Sequence, residues 1–188
     1  MAMGLAVVVG ALVGLAAVVF LELIAWTQWL ALGTREELLI SGLNQDHWWR
    51  RMAAPVVGGL IIGGLMLVFY PNLPRPPGVA HVIAASALRR GTMSFRDGIK
   101  AATLNGISLG FGASVGREGP MVHWGATIGA WGARALGLDP RVRRSLLACG
   151  VSAAVAASFN APLAGVFFAL EVVVGHYAFS VFAPCVLA

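Results

Sequence analysis

Gly112-Ala113-Ser114-Val115-Gly116-Arg117-Glu118-Gly119-Pro120 separates two apolar segments and places an arginine beside a glutamate far from any obvious loop. Pro120 pre-sets φ and suits the start of a helix, so the stretch reads as a short non-helical turn feeding a helix that begins near Gly119 and Pro120. The free N–H groups of that start point into the break. Inside a bilayer, irregular backbone persists only where protein buries it or where it lines a watery cavity. A helix N-terminus in such a place offers donors and a partial positive charge to an anion.

The surrounding composition makes a bilayer the right solvent. With 59% hydrophobic residues, 11% charged residues and a mean hydropathy of +0.82, the 188-residue chain has too little polar surface for an ordinary soluble domain. The net charge of +5 and pI near 10.2 would suit nucleic acid. The basic residues, however, fall in short inter-segment loops rather than on one soluble face, which favours membrane orientation over a nucleic-acid partner. Cys149 and Cys185 lie in apolar surroundings without metal-ligand spacing and read as small buried side chains.

Outward from the break, the chain alternates apolar spans and polar connections. The first span runs to about Leu32, too long for a signal-peptide core, with Trp26 and Trp29 as interfacial anchors and Gly10 and Gly14 as a G-x-x-x-G packing step. Glu22 reads as a carboxylate reaching the interface. Gly33 to Arg51 is a polar surface loop, and Met52 to Tyr70 is the second span, ended by Pro71, Pro74, Pro76 and Pro77. A short apolar segment follows from Gly78. Ile99 to Gly110 runs into the break, Pro120 to Leu136 leaves it, and Ser145 to Ser158 and Pro162 to Val174 are short segments interrupted by Asn160-Ala161-Pro162. Short, broken helices near the membrane middle are what transporters use to aim helix ends at a substrate.

The loops also orient the chain. Arg75, Arg89, Arg90, Arg96, Lys100, Arg134, Arg141, Arg143 and Arg144 fall on one side and Arg35, Arg50 and Arg51 on the other, which assigns the richer side to the cytoplasm.

Two stretches resemble one family. Gly116-Arg117-Glu118-Gly119-Pro120 is similar to the G-x-E-G-P signature of the CLC chloride channels and chloride/proton exchangers. Downstream, Ser158-Phe159-Asn160-Ala161-Pro162-Leu163-Ala164-Gly165-Val166-Phe167-Phe168-Ala169-Leu170-Glu171 resembles that family's FNAPLAG helix. The resemblance runs from roughly Gly4 to the end and covers the first of the family's two inverted halves. It implies an all-α, multi-pass membrane protein of the plasma or bacterial inner membrane. Residues 1–188 are then the N-terminal half of an anion transport domain, the first inverted repeat, with tilted and broken helices. Its partners are chloride or another small monovalent anion, membrane lipid and a second copy in a homodimer once complete, with no cofactor, no metal and no enzymatic activity.

By resemblance Glu118 is the gating glutamate, and Gly116, Arg117, Gly119 and Pro120 border the anion, joined by Pro77, Gly78 and Val79. The glycines permit close approach of main chain to the ion, and the proline fixes the helix start. A plainer reading of Glu118 is a helix-capping acid paired with Arg117. Arg117 itself either tunes the anion field or holds neighbouring carbonyls.

The chain departs from the family pattern twice. Where the family carries G-S-G-I-P, this sequence has Pro76-Pro77-Gly78-Val79-Ala80, so Pro77 replaces a serine hydroxyl donor, as in some nitrate-preferring relatives; His81, just beyond, reads as interfacial. Where exchangers carry an internal glutamate directly after the first glutamate of the helix following FNAPLAG, Glu171 is followed here by Val172, as in the channel branch. A channel with a glutamate gate is the favoured reading; the alternatives are a chloride/proton antiporter and a non-conducting structural half-protein. His123 and His176 lack an H-E-x-x-H pattern, and no Walker A or dinucleotide fingerprint occurs.

Overall fold

The computed structural model describes residues 2–33, 48–70, 78–175 and 179–188, and among them every regular element is helical. The elements are α1 (Ala2–Leu32), α2 (Trp48–Phe69), α3 (Val79–Leu88), α4 (Phe95–Gly110), α5 (Glu118–Ala135), α6 (Pro140–Phe159), α7 (Pro162–Phe168), a π-helical turn (Ala169–Val174) and α8 (Phe179–Leu187). Arg75, Pro77, His176 and most of the first polar loop lie outside the described residues.

Three described helices are long and apolar enough to cross a bilayer: Met3–Leu32, Met52–Phe69 and Pro140–Phe159. This corrects the expectation of a self-sufficient span on each side of the break. At about 1.5 Å per residue, the 16 residues of α4 reach only about 24 Å, short of the hydrocarbon thickness. Boundaries shift as well. The second span keeps its expected start at Met52, but its helix begins earlier, at Trp48, with Pro55 inside it, and α6 begins at Pro140 rather than Ser145. Asp139 explains the latter, because its carboxylate accepts from the Arg141 N–H at 2.8 Å and Pro140 supplies a helix-ready φ.

The chain divides into two compact units. The first comprises Met1–Val18, Pro77–Ala101 and Glu118–Ala188. Its centre is α6, buried without interruption from Ser145 to Val155, as a helix apolar on every face must be. Helices α5, α7 and α8 pack around it. The α5–α6 crossing is made by glycines. A Cβ on Gly125 would strike the Gly150 carbonyl, one on Gly150 would strike the Gly125 carbonyl, and one on Gly129 would strike the Leu146 carbonyl. Gly125 and Gly129 are thus the G-x-x-x-G step that brings two backbones together. Gly14, expected to serve that purpose, has open space around it among the described residues. The N-terminal half of α1 buries the stripe Ala6, Val9, Gly10, Val13 and Ala17, leaving Val7, Val8, Leu12 and Leu15 exposed, the pattern of a helix with one face to protein and the rest to lipid. Cys149 and Cys185 are buried free thiols, as expected, with their sulfurs 3.9 Å apart.

The second unit comprises Val19–Pro76 and Ala102–Arg117. Gly106 and Gly110 let α4 close on Leu23 and Thr27 of α1, and Gly58 of α2 accepts the Phe111 ring. The Thr27 hydroxyl donates to the Leu23 carbonyl at 2.8 Å, so its polarity is satisfied within its own helix. Glu22 is exposed.

Candidate anion site at two helix starts

The break forms because α4 is stopped by a glycine. Gly112 takes φ +89, and the paired bonds Ala113 N–H to Ser108 carbonyl (3.1 Å) and Gly112 N–H to Leu109 carbonyl (2.9 Å) close a Schellman turn. Irregular backbone then runs to Arg117, with Gly116 at φ +75, a conformation that a side chain would strain. Helix α5 starts at Glu118, one residue earlier than expected, so Gly119 and Pro120 fall inside its first turn. Glu118 and Gly119 are half-buried and Pro120 is buried. The Glu118 carboxylate makes no hydrogen bond or ion pair among the described residues.

The second helix start is that of α3. Gly78 is extended (φ −138, ψ −155) and caps α3 with its backbone alone, the His81 N–H bonding the Gly78 carbonyl at 3.0 Å. Among the described residues no side chain makes a capping hydrogen bond to the first N–H groups of this helix. They remain available as donors, as at any uncapped helix start.

A contact unforeseen in the sequence holds these starts together. His81, in the first turn of α3, sets Nδ1 3.3 Å from Nε2 of His123, in the second turn of α5, with ring centroids 5.5 Å apart. His81 was expected at the interface; it is instead half-buried against a ring only 1% exposed. Arg89 completes the chain, with Nη1 3.1 Å from His81 Nε2. A guanidinium only donates, so with neutral rings the protons are fixed in turn. His81 Nε2 accepts, its Nδ1–H donates to His123 Nε2, and His123 carries its own proton on Nδ1. That last nitrogen is buried without a partner among the described residues. Thr127, one turn on, donates its hydroxyl to the His123 carbonyl at 2.7 Å.

Downstream, Asn160 takes the left-handed conformation (φ 52) that ends α6, and Pro162 opens α7, as the Asn160-Ala161-Pro162 interruption implied. Gly165 seats α7 against the Ser152 carbonyl of α6. Glu171 and Val172 fall in the π-helical turn, and both are exposed.

Of the residues expected at the anion site, Gly78 and Val79 lie at one helix start and Glu118, Gly119 and Pro120 at the other, with the histidine pair joining the two helices. Gly116 and Arg117 belong to the irregular segment before α5. The sequence signal for the pair was weak, because His81 and His123 stand 42 residues apart and belong to no spaced pattern.

Three apolar helices long enough to cross a bilayer, the non-helical stretch between α4 and α5, and an α3 start with no side-chain cap among the described residues fit a multi-pass helical membrane protein of the transporter and channel class. The family model described as voltage gated chloride channel matches residues 58–188, and the chain belongs to that family. It is 30% identical over 190 residues to a protein of Ralstonia nicotianae described as a putative chloride channel protein ClcB-like, a match covering 99% of this chain and 44% of that one. Among solved structures it is similar to a slow cyanobacterial Cl−/H+ antiporter, with TM-score 0.74 and 21% identity over 99% of this chain and 44% of the other. A eukaryotic CLC transporter matches with TM-score 0.79 and 21% identity, over 99% of this chain and 36% of the other. The chain therefore has the CLC fold and spans less than half the length of these relatives.

Proposed function

We propose that this chain is the N-terminal half of a CLC-type anion transport domain, the first of two inverted repeats, and that with its second half it carries chloride or a similar small monovalent anion across the membrane as a homodimer. The observation that carries this reading is the placement of Glu118. A carboxylate in the first turn of α5, half-buried and without a protein partner among the described residues, stands where the helix N–H groups attract negative charge. The transported anion and the carboxylate then compete for one set of donors. Protonation removes the charge, weakens the carboxylate's hold and admits the anion.

The donors on this half are the N–H groups at Gly78 and Val79 and those of the first turn of α5, with Gly116, Gly119 and Pro120 shaping the approach and Arg117 adding positive charge. Pro77 adds no hydroxyl or N–H donor, so selection rests on backbone donors, and nitrate competes with chloride. We assign no enzymatic step to these residues. Channel-like conduction is favoured over proton exchange because Val172 puts an aliphatic side chain where an exchanger needs a carboxylate. Liposome flux of the full-length protein, compared with its Glu118→Gln variant over a range of external pH, tests the proposal.

A further inference from the structure

The turn after α3 and the start of α6 border an open surface cleft of about 390 Å³ lined by Arg90, Asp139, Pro140, Arg141 and Arg144. Three arginines line it against one aspartate, whose carboxylate accepts from the Arg141 backbone N–H. The cleft is held in shape from both sides. Arg144 donates from Nη2 to the Ala87 carbonyl at 2.9 Å, tying α6 to the last turn of α3, and Gly91 (φ +72) allows the following turn to sit against the Arg144 backbone. Arg90 is itself unusual. It takes φ +51 beside Gly91, a left-handed position that asparagine or glycine would occupy with less strain. Strain kept at a charged residue bordering a cleft points to a use for that charge.

The position along the bilayer selects the ligand. Pro140–Phe159 is long and apolar enough to cross the bilayer, which puts its arginine-bearing first turn at the headgroup level on the side that collects the basic residues. Two large apolar side chains are exposed on the adjoining helix ends, Leu88 at 82% and Leu136 at 59%. A ligand with an anionic head and acyl chains matches both features, whereas a free anion uses only the first. We propose that Arg90, Arg141 and Arg144 form a site for the phosphate headgroup of an anionic glycerophospholipid of the inner leaflet, with its chains lying along Leu88 and Leu136. The guanidinium groups bind the phosphodiester by charge-assisted hydrogen bonds.

Native mass spectrometry of the purified full-length protein, titrated with phosphatidylglycerol or with phosphatidylcholine of the same chains, tests the site. The wild type is expected to retain phosphatidylglycerol preferentially, and Arg90→Gln/Arg141→Gln to lower that affinity by about thirtyfold, while Arg144 stays to hold Ala87. Arg96→Gln/Arg134→Gln removes the same charge elsewhere on this side and leaves the preference intact. Inorganic phosphate at millimolar concentration fails to displace the lipid. The proposal is overturned by a wild type without preference, by a correctly folded Arg90→Gln/Arg141→Gln protein that keeps it, or by an equal loss in the control variant. Displacement of the lipid by inorganic phosphate would make a free anion the ligand and overturn the lipid assignment.

Discussion

His81 Nδ1 lies 3.3 Å from His123 Nε2, and this one contact ties the first turn of α3 to α5 five residues past Glu118. The helix starts that offer donors are tied by a part-buried hydrogen bond, which is directional where the apolar packing around it is not. Replacing His123 by alanine leaves the His81 donor without its acceptor and opens a void in a site that is 99% enclosed. His123→Ala is therefore expected to destabilise the full-length protein by about 1–3 kcal/mol, and His123→Gln, which keeps an acceptor, by less. Thermal unfolding in detergent measures both. An unchanged midpoint for His123→Ala would show that the pair contributes no stability.

The glycine crossing of α5 and α6 gives a second expectation with an internal control. Gly125→Leu drives a side chain into the Gly150 carbonyl, where backbone has to move, so a loss of at least 1–3 kcal/mol or failure to fold is expected. Gly132, on the same helix, has open space around its would-be Cβ among the described residues. Gly132→Ala should then be neutral or stabilising by about 0.5–1 kcal/mol. Yields of folded protein and unfolding midpoints for the two variants compare these outcomes directly.

How far the sequence could be read depended on whether the cause was local. Gly112, Gly116 and Pro120 announce the break between α4 and α5 because a left-handed turn and a helix start each need particular residues. Asn160-Ala161-Pro162 announces the α6–α7 interruption for the same reason. The stretches on either side of the break do not form spans of their own: α4 has only 16 residues, and α5 buries most of Pro120–Ala133 inside the protein. Gly10–Gly14 and Gly125–Gly129 carry identical spacing, yet only the second has a close backbone partner on both glycines, because the facing helix is set by tertiary packing. The histidine pair escaped for a related reason, since neither ring has a local sequence context that names its partner.

Proton coupling is expected to be weak. With Val172 in place of a carboxylate, a proton reaching Glu118 from outside lacks the acceptor that an exchanger carries at that position. In liposomes of the full-length protein, a chloride gradient should drive anions with little accompanying proton movement. Val172→Glu is not expected to restore exchange, because a charge at this depth costs about 2.5–3.5 kcal/mol on insertion scales unless water and partners already receive it. Sustained uphill proton movement at a fixed ratio to chloride would refute this.

The 188-residue chain alone is expected to be silent. On the half-domain proposal, a path built between two inverted halves needs both sets of helix starts, of which this chain supplies one. Liposomes holding the purified fragment should show no saturable anion flux, and co-expression with a matching second half should restore it. Saturating flux from the fragment free of any longer product would overturn the half-domain reading.

The central claim is that Glu118 is the gate, and its titration is the most direct test. An ionised carboxylate competes with the anion for the α5 N–H groups and a protonated one does not, so lowering external pH should raise flux through the full-length protein. Glu118→Gln imitates the protonated side chain and Glu118→Ala removes it. Both are expected to conduct at neutral pH and to lose most of the pH dependence. Stopped-flow or electrode-based chloride flux across external pH, on Glu118→Gln shown to be folded and membrane-inserted, decides the matter: a flat profile supports the gate, and a profile with the wild-type pH dependence contradicts it.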